Sequence, residues 1–371
     1  MSLYNWQQEN WPEFFWDADA IEDTLETYCK KSVLLVDRIN LLPTEEVQDY
    51  LIERLVEEAR STSSIEGEIM SREDLVSSVM NNLNIQGSLQ NVRDLRAKAI
   101  GQQIILNRDT FSRPLTETAL KYWHELLLGY ENRLNVIGNY REGATPMRIV
   151  SGPTYRQKVH YEAPPAERVA KEMQVLIDYC NSPKPQTVAG ITKAGIAHIW
   201  FESIHPFEDG NGRIGRAIIE KMLSQSLGVF VPFSISHAIE QRKKDYYASL
   251  NKASRSLDIS PWLIYFSQVL IESLQYAESL INFTLQKHSL LMRIGTGISP
   301  HERKALDKMF AAGSNGFEGG MTTKKYMRIN RVSQPTAARS LRHLTEIGAL
   351  VQRSQGRGTH YVLPFEENRP D

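Results

Sequence analysis

The chain has 371 residues, of which 41% are hydrophobic and 23% charged, and a formal net charge of −1. That size supports two or three domains with a sizeable core, and so small a net charge gives the whole chain no electrostatic pull toward nucleic acid or a membrane. Two distant cysteines, Cys29 and Cys180, argue against a disulfide framework or a cysteine metal site and for a reducing cytoplasm, while no apolar run reaches membrane-spanning length and no signal peptide is expected.

Charge is uneven along the chain. Residues 1–75 hold 18 Asp/Glu against 6 Lys/Arg, whereas residues 321–363 hold 8 Lys/Arg against the single acid Glu346. Helical periodicity dominates. After aromatic residues Tyr4, Trp6, Trp11, Phe14, Phe15 and Trp16, which suit packing onto the body of the protein, residues 17–40 read as an acidic amphipathic helix. Thr44 is placed to cap a helix running to about Thr62, and Ser71 another. Pro114-Leu115-Thr116-Glu117 opens a helix through Leu128. Residues 148–161 alternate with turn residues and predict a β-hairpin. Helices are expected over 164–179, 190–204, 212–227, 237–256 and 261–291, then a linker at 295–300. Beyond it, helices near 300–311, 322–328 and 333–346 precede two strand-like runs at 349–352 and 359–363.

The densest chemistry lies in His205-Pro206-Phe207-Glu208-Asp209-Gly210-Asn211-Gly212-Arg213-Ile214-Gly215-Arg216. Gly210-Asn211-Gly212 leads into a helix whose first N–H groups are unpaired, which makes an anion site suited to phosphate. Arg213 and Arg216 project from one face of that first turn, and a polyphosphate would satisfy both. Asp209 supplies an oxygen ligand for Mg²⁺ shared with that phosphate. His205 has an intrinsic pKa near neutrality and suits a general base.

These residues resemble the Fic family signature, His-x-Phe-x-(Asp/Glu)-Gly-Asn-Gly-Arg-x-x-Arg, at every defined position. The resemblance covers roughly residues 60–275. It implies a mainly α fold, with a Fic-type helical core and a β-hairpin flap, that transfers AMP from ATP to a Ser, Thr or Tyr hydroxyl of a target protein. His205 would deprotonate the hydroxyl and Asp209 would hold Mg²⁺. Gly210, Asn211 and Gly212 would cradle the α- and β-phosphates, and Arg213 and Arg216 the β- and γ-phosphates. Phe207 would anchor the loop in the core, and His198 reads as a satisfied helix histidine. The hairpin would be the flap, placing Ile149, Val150, Ser151 and Gly152 near the nucleotide, or else an ordinary surface hairpin. Tyr246 and Tyr247 resemble a pair bordering adenine; core packing of either is the alternative. Ser254 stands where the family often has Asn.

Thr62-Ser63-Ser64-Ile65-Glu66-Gly67 resembles the family's inhibitory pattern, (Ser/Thr)-x-x-x-Glu-(Gly/Asn). In such proteins the glutamate pairs with the second motif arginine, here Arg216, and excludes the γ-phosphate. The expected layout is a helical region over 1–108 that includes an inhibitory helix at about 55–67, a catalytic core over 109–294, and a winged helix-turn-helix over 295–371. In the last, residues 332–344 resemble a recognition helix capped by Ser333, with Arg339 and Arg342 free to reach phosphates and Arg353 and Arg357 on the wing. Three readings stay open: an autoinhibited adenylyltransferase, a DNA-binding regulator with the core as sensor, or an enzyme that uses Glu66 to remove AMP. A homodimer also stays open.

Overall fold

The computed structural model describes residues 4–85, 91–151, 158–183, 188–313, 316–354 and 356–366. The protein is mainly helical. It divides into two compact units: residues 1–40 group with residues 54–277, whereas residues 41–53 group with 278–371.

α1 (Asp19–Asn40), in the first unit, is followed by α2 (Thr44–Ile65), of which residues 54–65 belong to that unit, and then by α3 (Arg72–Asn82) and α4 (Leu95–Thr110). Thr44 is the first residue of α2 rather than its cap, whereas Ser71 caps α3 by accepting from Asp74 N at 3.1 Å. α5 (Glu117–Leu128) is capped by Thr116. The hairpin pairs β1 (Arg148–Ser151) with β2 (Lys158–Glu162) antiparallel, with a bulge between Ile149 and Val150. α6 (Ala166–Asn181) then leads to α7 (Val188–Ile204) and α8 (Asn211–Leu227). These two are buried nearly all round: Ile199, Phe201, Ile204, Ile214, Ile218 and Leu223 are at most 1% exposed. A helix so enclosed is a core element, and the loop between the two is therefore held at both ends by packing. The single helix expected over 237–256 is two, α9 (Ile235–Gln241) and α10 (Lys243–Ala253), before α11 (Ser260–Ile294).

The aromatic N-terminus packs inward in part: Trp11 and Phe14 lie against Trp200, whereas Phe15 is 61% exposed. Asn5 is fully buried and donates to Ser203 Oγ at 2.7 Å, while Trp6 Nε1 donates to Glu162 O in β2 at 2.8 Å.

The second unit contains α12 (Pro300–Phe310), α13 (Thr323–Asn330), α14 (Gln334–Glu346), β3 (Val351–Arg353) and β4 (His360–Val362). β3 pairs with β4 antiparallel, and Met321 bridges to Tyr361. Leu306, Tyr326, Leu341, Leu344 and Leu363 form its core. Ser333 does not cap α14 through its side chain; its hydroxyl meets Thr336 Oγ1 at 3.0 Å. No described helix is long and apolar enough to cross a membrane.

Candidate active site

The loop at 205–210 is built by its backbone. His205 has φ of 49° and Gly210 φ of 78°; the second is a left-handed N-cap conformation natural to glycine. Arg141, a residue that no sequence signal marked, is buried and donates through Nε to His205 O at 2.8 Å and through Nη2 to Pro164 O at 2.6 Å. Its own N–H reaches Pro206 O at 2.8 Å. Phe207 is fully buried and stacks on His124 with ring centroids 4.3 Å apart. Asn211 closes the loop: its Oδ1 accepts from Phe207 N at 3.0 Å and its Nδ2 donates to Phe207 O at 2.9 Å. The Asn211 side chain therefore shapes the cradle, and only its backbone is left for an anion.

The two motif arginines lie side by side at the start of α8, and each holds a carboxylate. Arg216 Nη2 donates to Glu66 Oε1 at 2.7 Å and to Thr62 O at 2.9 Å, and Nε donates to Thr62 Oγ1 at 2.8 Å. Its side chain is 1% exposed and that of Glu66 29%. Burial works against the charge of Arg216, but Glu66 holds its pKa above the ordinary value. A Cβ at Gly212 would collide with Glu66 Oε1, so this carboxylate lies against the first turn of α8, where an anion belongs.

Glu68, just beyond the Thr62–Gly67 pattern, holds the other motif arginine. Arg213 Nη1 donates to both of its carboxylate oxygens at 2.9 Å. α2 ends at Ile65, and Gly67, with φ of 84°, turns the chain so that Glu66 and Glu68 reach neighbouring arginines. Tyr247 Oη donates to Ile65 O at 3.2 Å and ties down the same turn. α2 itself is anchored to the core through Arg54 with Glu220, Glu57 with His237 at 2.6 Å, and Arg60 with Glu240 at 2.6 Å.

Burial, then the charge of Arg141, pull His205 down to about 4, so it is neutral at pH 7, as a general base must be. Asp209 is exposed, and its Oδ1 accepts from Gly210 N at 2.6 Å. Among the described residues no group of three or more His, Cys, Asp or Glu could hold a metal. The donor set thus fits Mg²⁺ only in the manner usual for that ion, one carboxylate shared with phosphate oxygens.

The remaining expected residues are spread. Ile149 and Val150 in β1 are each 39% exposed, and Ser151 ends that strand. Gly152 lies outside the described residues. Tyr246 is enclosed, with its hydroxyl 2.8 Å from His198 Nε2; it packs in the core, and Tyr247 is the exposed member of the pair. Ser254 donates to Asn251 O at 2.9 Å and its carbonyl accepts from Asn5 N at 2.8 Å. In the second unit Arg339 and Arg342 are exposed on α14. Arg353 ends β3, and its Nη2 donates to Glu366 O at 3.2 Å. Arg357 lies in a short turn, Gly356–Gly358.

Residues 114–223 match the family model described as Fic/DOC family, and residues 4–85 match a domain of unknown function, DUF4172. A protein adenylyltransferase Fic from Nematostella vectensis is 34% identical over 159 residues, which is 41% of this chain and 36% of that protein. Protein adenylyltransferase fic-1 from Caenorhabditis elegans is 32% identical over 102 residues, 28% of this chain and 19% of that protein. The chain thus spans about a third or less of these curated relatives. In fold it is similar to a Fic family protein from Desulfovibrio desulfuricans G20, with a TM-score of 0.51 and 20% identity over 92% of this chain and 95% of that one. A structure of Fic-1 from C. elegans gives a TM-score of 0.54 at 19% identity, covering 71% of this chain and 74% of that one. The loop, its cradle and the arginine pair therefore lie in a Fic domain with homology to protein adenylyltransferases.

Proposed function

We propose that this protein transfers AMP from ATP to a hydroxyl of another protein, and that the arrangement described here is its restrained state. The observation that carries this is the Glu66 carboxylate, seated against Gly212 and bound to Arg216. A carboxylate there takes the place of a phosphate. Arg216 Nη1 and Arg213 Nε remain buried without a hydrogen-bond partner, which is costly and favours a ligand with more acceptor oxygens than a carboxylate has.

With Glu66 and Glu68 withdrawn, both arginines would face the β- and γ-phosphates and the first N–H groups of α8 the α- and β-phosphates. The acceptor oxygen then bonds to the α-phosphorus, the bond from that phosphorus to pyrophosphate breaks, and the hydroxyl proton passes to His205. Asp209 would hold Mg²⁺, whose charge offsets that of the phosphates. Such transfer asks the protein mainly for alignment and charge stabilisation. β1 offers an edge unpaired among the described residues, to which a target segment would add as a strand.

The test is labelling by ATP radioactive at the α-phosphate. We expect Glu66→Gly to label acceptor protein more strongly than wild type, and His205→Ala to abolish labelling. Equal labelling by wild type and Glu66→Gly would remove the restraint from the account.

A second reading concerns residues 300–366. Helices α12 to α14, the β3–β4 pair and the Met321 bridge support a winged helix-turn-helix, with Arg339 and Arg342 on its exposed recognition face binding duplex DNA. Substituting either by Ala should weaken DNA binding and lower its salt slope by about 1; unchanged anisotropy titrations would sink this reading.

A further inference from the structure

His205 is fixed through its backbone, yet no side chain holds its ring. Its N–H donates to Phe201 O at 2.9 Å and its carbonyl accepts from Arg141; Nδ1 is buried with the Glu202 backbone near it, and no side chain completes a hydrogen bond to it. A histidine that takes a proton at Nε2 works best when Nδ1–H is held by an acceptor, which sets the tautomer and the ring orientation. One side chain faces that nitrogen. Glu202 Oε2 lies 3.9 Å from His205 Nδ1, and both side chains are 12% exposed. Glu202 Oε1 is likewise buried and unpaired. Two complementary polar groups left facing each other unjoined are expensive. Active-site hydrogen bonds are often long before substrate binds and tighten afterwards.

The helices around it make room for this carboxyl. Glu202 sits in the last turn of α7, three residues before His205. A Cβ at position 215 would lie 2.6 Å from Glu202 Oε1 and 3.0 Å from the His198 ring. Gly215, between the two motif arginines, therefore admits the acid between α7 and α8. Burial, and next the charge of Glu66, push Glu202 up to about 8 against the pull of Arg216. Glu66 thus acts on Glu202 as well as on Arg216.

We propose that Glu202 is the positioning residue for His205: when Glu66 withdraws, the Glu202 carboxylate closes on Nδ1–H and holds Nε2 toward the acceptor hydroxyl. The hydroxyl proton then ends on Nε2, and the imidazolium formed is paired with the carboxylate. Its effect on rate rests on the adenylyl-transfer reading above, whereas the contact does not.

The test uses the full chain carrying Glu66→Gly, ¹⁵N-labelled at histidine, with the His205 resonances assigned from a His205→Gln variant. Nuclear magnetic resonance should show neutral His205 protonated at Nδ1. Adding Glu202→Gln, which keeps the volume but offers an N–H to Nδ1, should move the proton to Nε2. Glu202→Asp should retain the Nδ1–H form. In the transfer assay Glu202→Gln should lower kcat about 100-fold with KM for ATP within about twofold, and Glu202→Asp should recover part of the loss. Unchanged ¹⁵N shifts on Glu202→Gln would overturn the contact. A rise in KM with kcat intact would overturn the positioning role. If the Glu66→Gly protein transfers no AMP, the proposed activity fails, and the resonance comparison still decides whether Glu202 holds His205.

Discussion

Replacing Glu68 by glutamine separates two restraints that lie only two residues apart. Arg213 is 3% exposed and places Nη1 2.9 Å from both oxygens of Glu68. Glutamine keeps the shape and one acceptor but loses the charge. A charge-assisted hydrogen bond of this kind contributes about 1.5–3 kcal/mol, so weakening it should tighten ATP binding by roughly 10-fold or more, at about 1.4 kcal/mol per tenfold. Calorimetric titration with a non-hydrolysable ATP analogue measures this directly. Glu66→Gln should give a gain of similar size through Arg216, and the double variant should bind more tightly than either single one, because each acid occupies a different arginine. If Glu68→Gln binds the analogue as wild type does while Glu66→Gln gains, Glu68 is a bystander and the restraint is Glu66 alone.

Two other outcomes follow from the same contacts. Asn211→Ala leaves the buried N–H and C=O of Phe207 unpaired, at about 1–3 kcal/mol each. It should lower the thermal midpoint and weaken analogue binding together; a variant as stable as wild type would contradict the role given to Asn211. Burial opposes the charge of Glu57, but hydrogen bonds from His237 and Arg60 hold its carboxyl down from 4.5 to about 2. Its contribution, about 3 kcal/mol, is present above pH 4.5 and lost as pH falls toward 2. Denaturant unfolding should show the stability gap between wild type and Glu57→Gln narrowing over that range. Parallel profiles would show that Glu57 does not anchor α2.

What could be read from the sequence was what is local. The twelve residues from His205 to Arg216 carry base, cradle and arginines in one stretch, and Thr62 to Gly67 carries the inhibitory pattern with its glutamate in six. The Glu66–Arg216 pair, 150 residues apart in the chain, could be named only because each half has a recognisable pattern. Glu68 has none. It meets Arg213 because α2 stops at Ile65 and Gly67 turns the chain, and neither feature is evident from composition. Arg141 and Asn5 carry no local signal for the same reason: their partners are backbone and side-chain atoms far away in sequence. α4 carries no amphipathic signal in the sequence: it is buried on several sides, with Ala97, Ile100, Gln103, Ile104 and Asn107 all inside, so no polar face marks its period. Tyr246 was indistinguishable from Tyr247 in sequence, yet α10 turns one toward His198 in the core and the other outward.

The central claim is transfer of AMP under restraint by the N-terminal acids. The most direct measurement incubates the Glu66→Gly protein and a protein acceptor with ATP labelled at either the α- or the γ-phosphate. Label from the α-phosphate should enter protein, with one pyrophosphate released for each group transferred, and label from the γ-phosphate should leave entirely with pyrophosphate. Incorporation from the γ-phosphate, or none from the α-phosphate, would contradict the account.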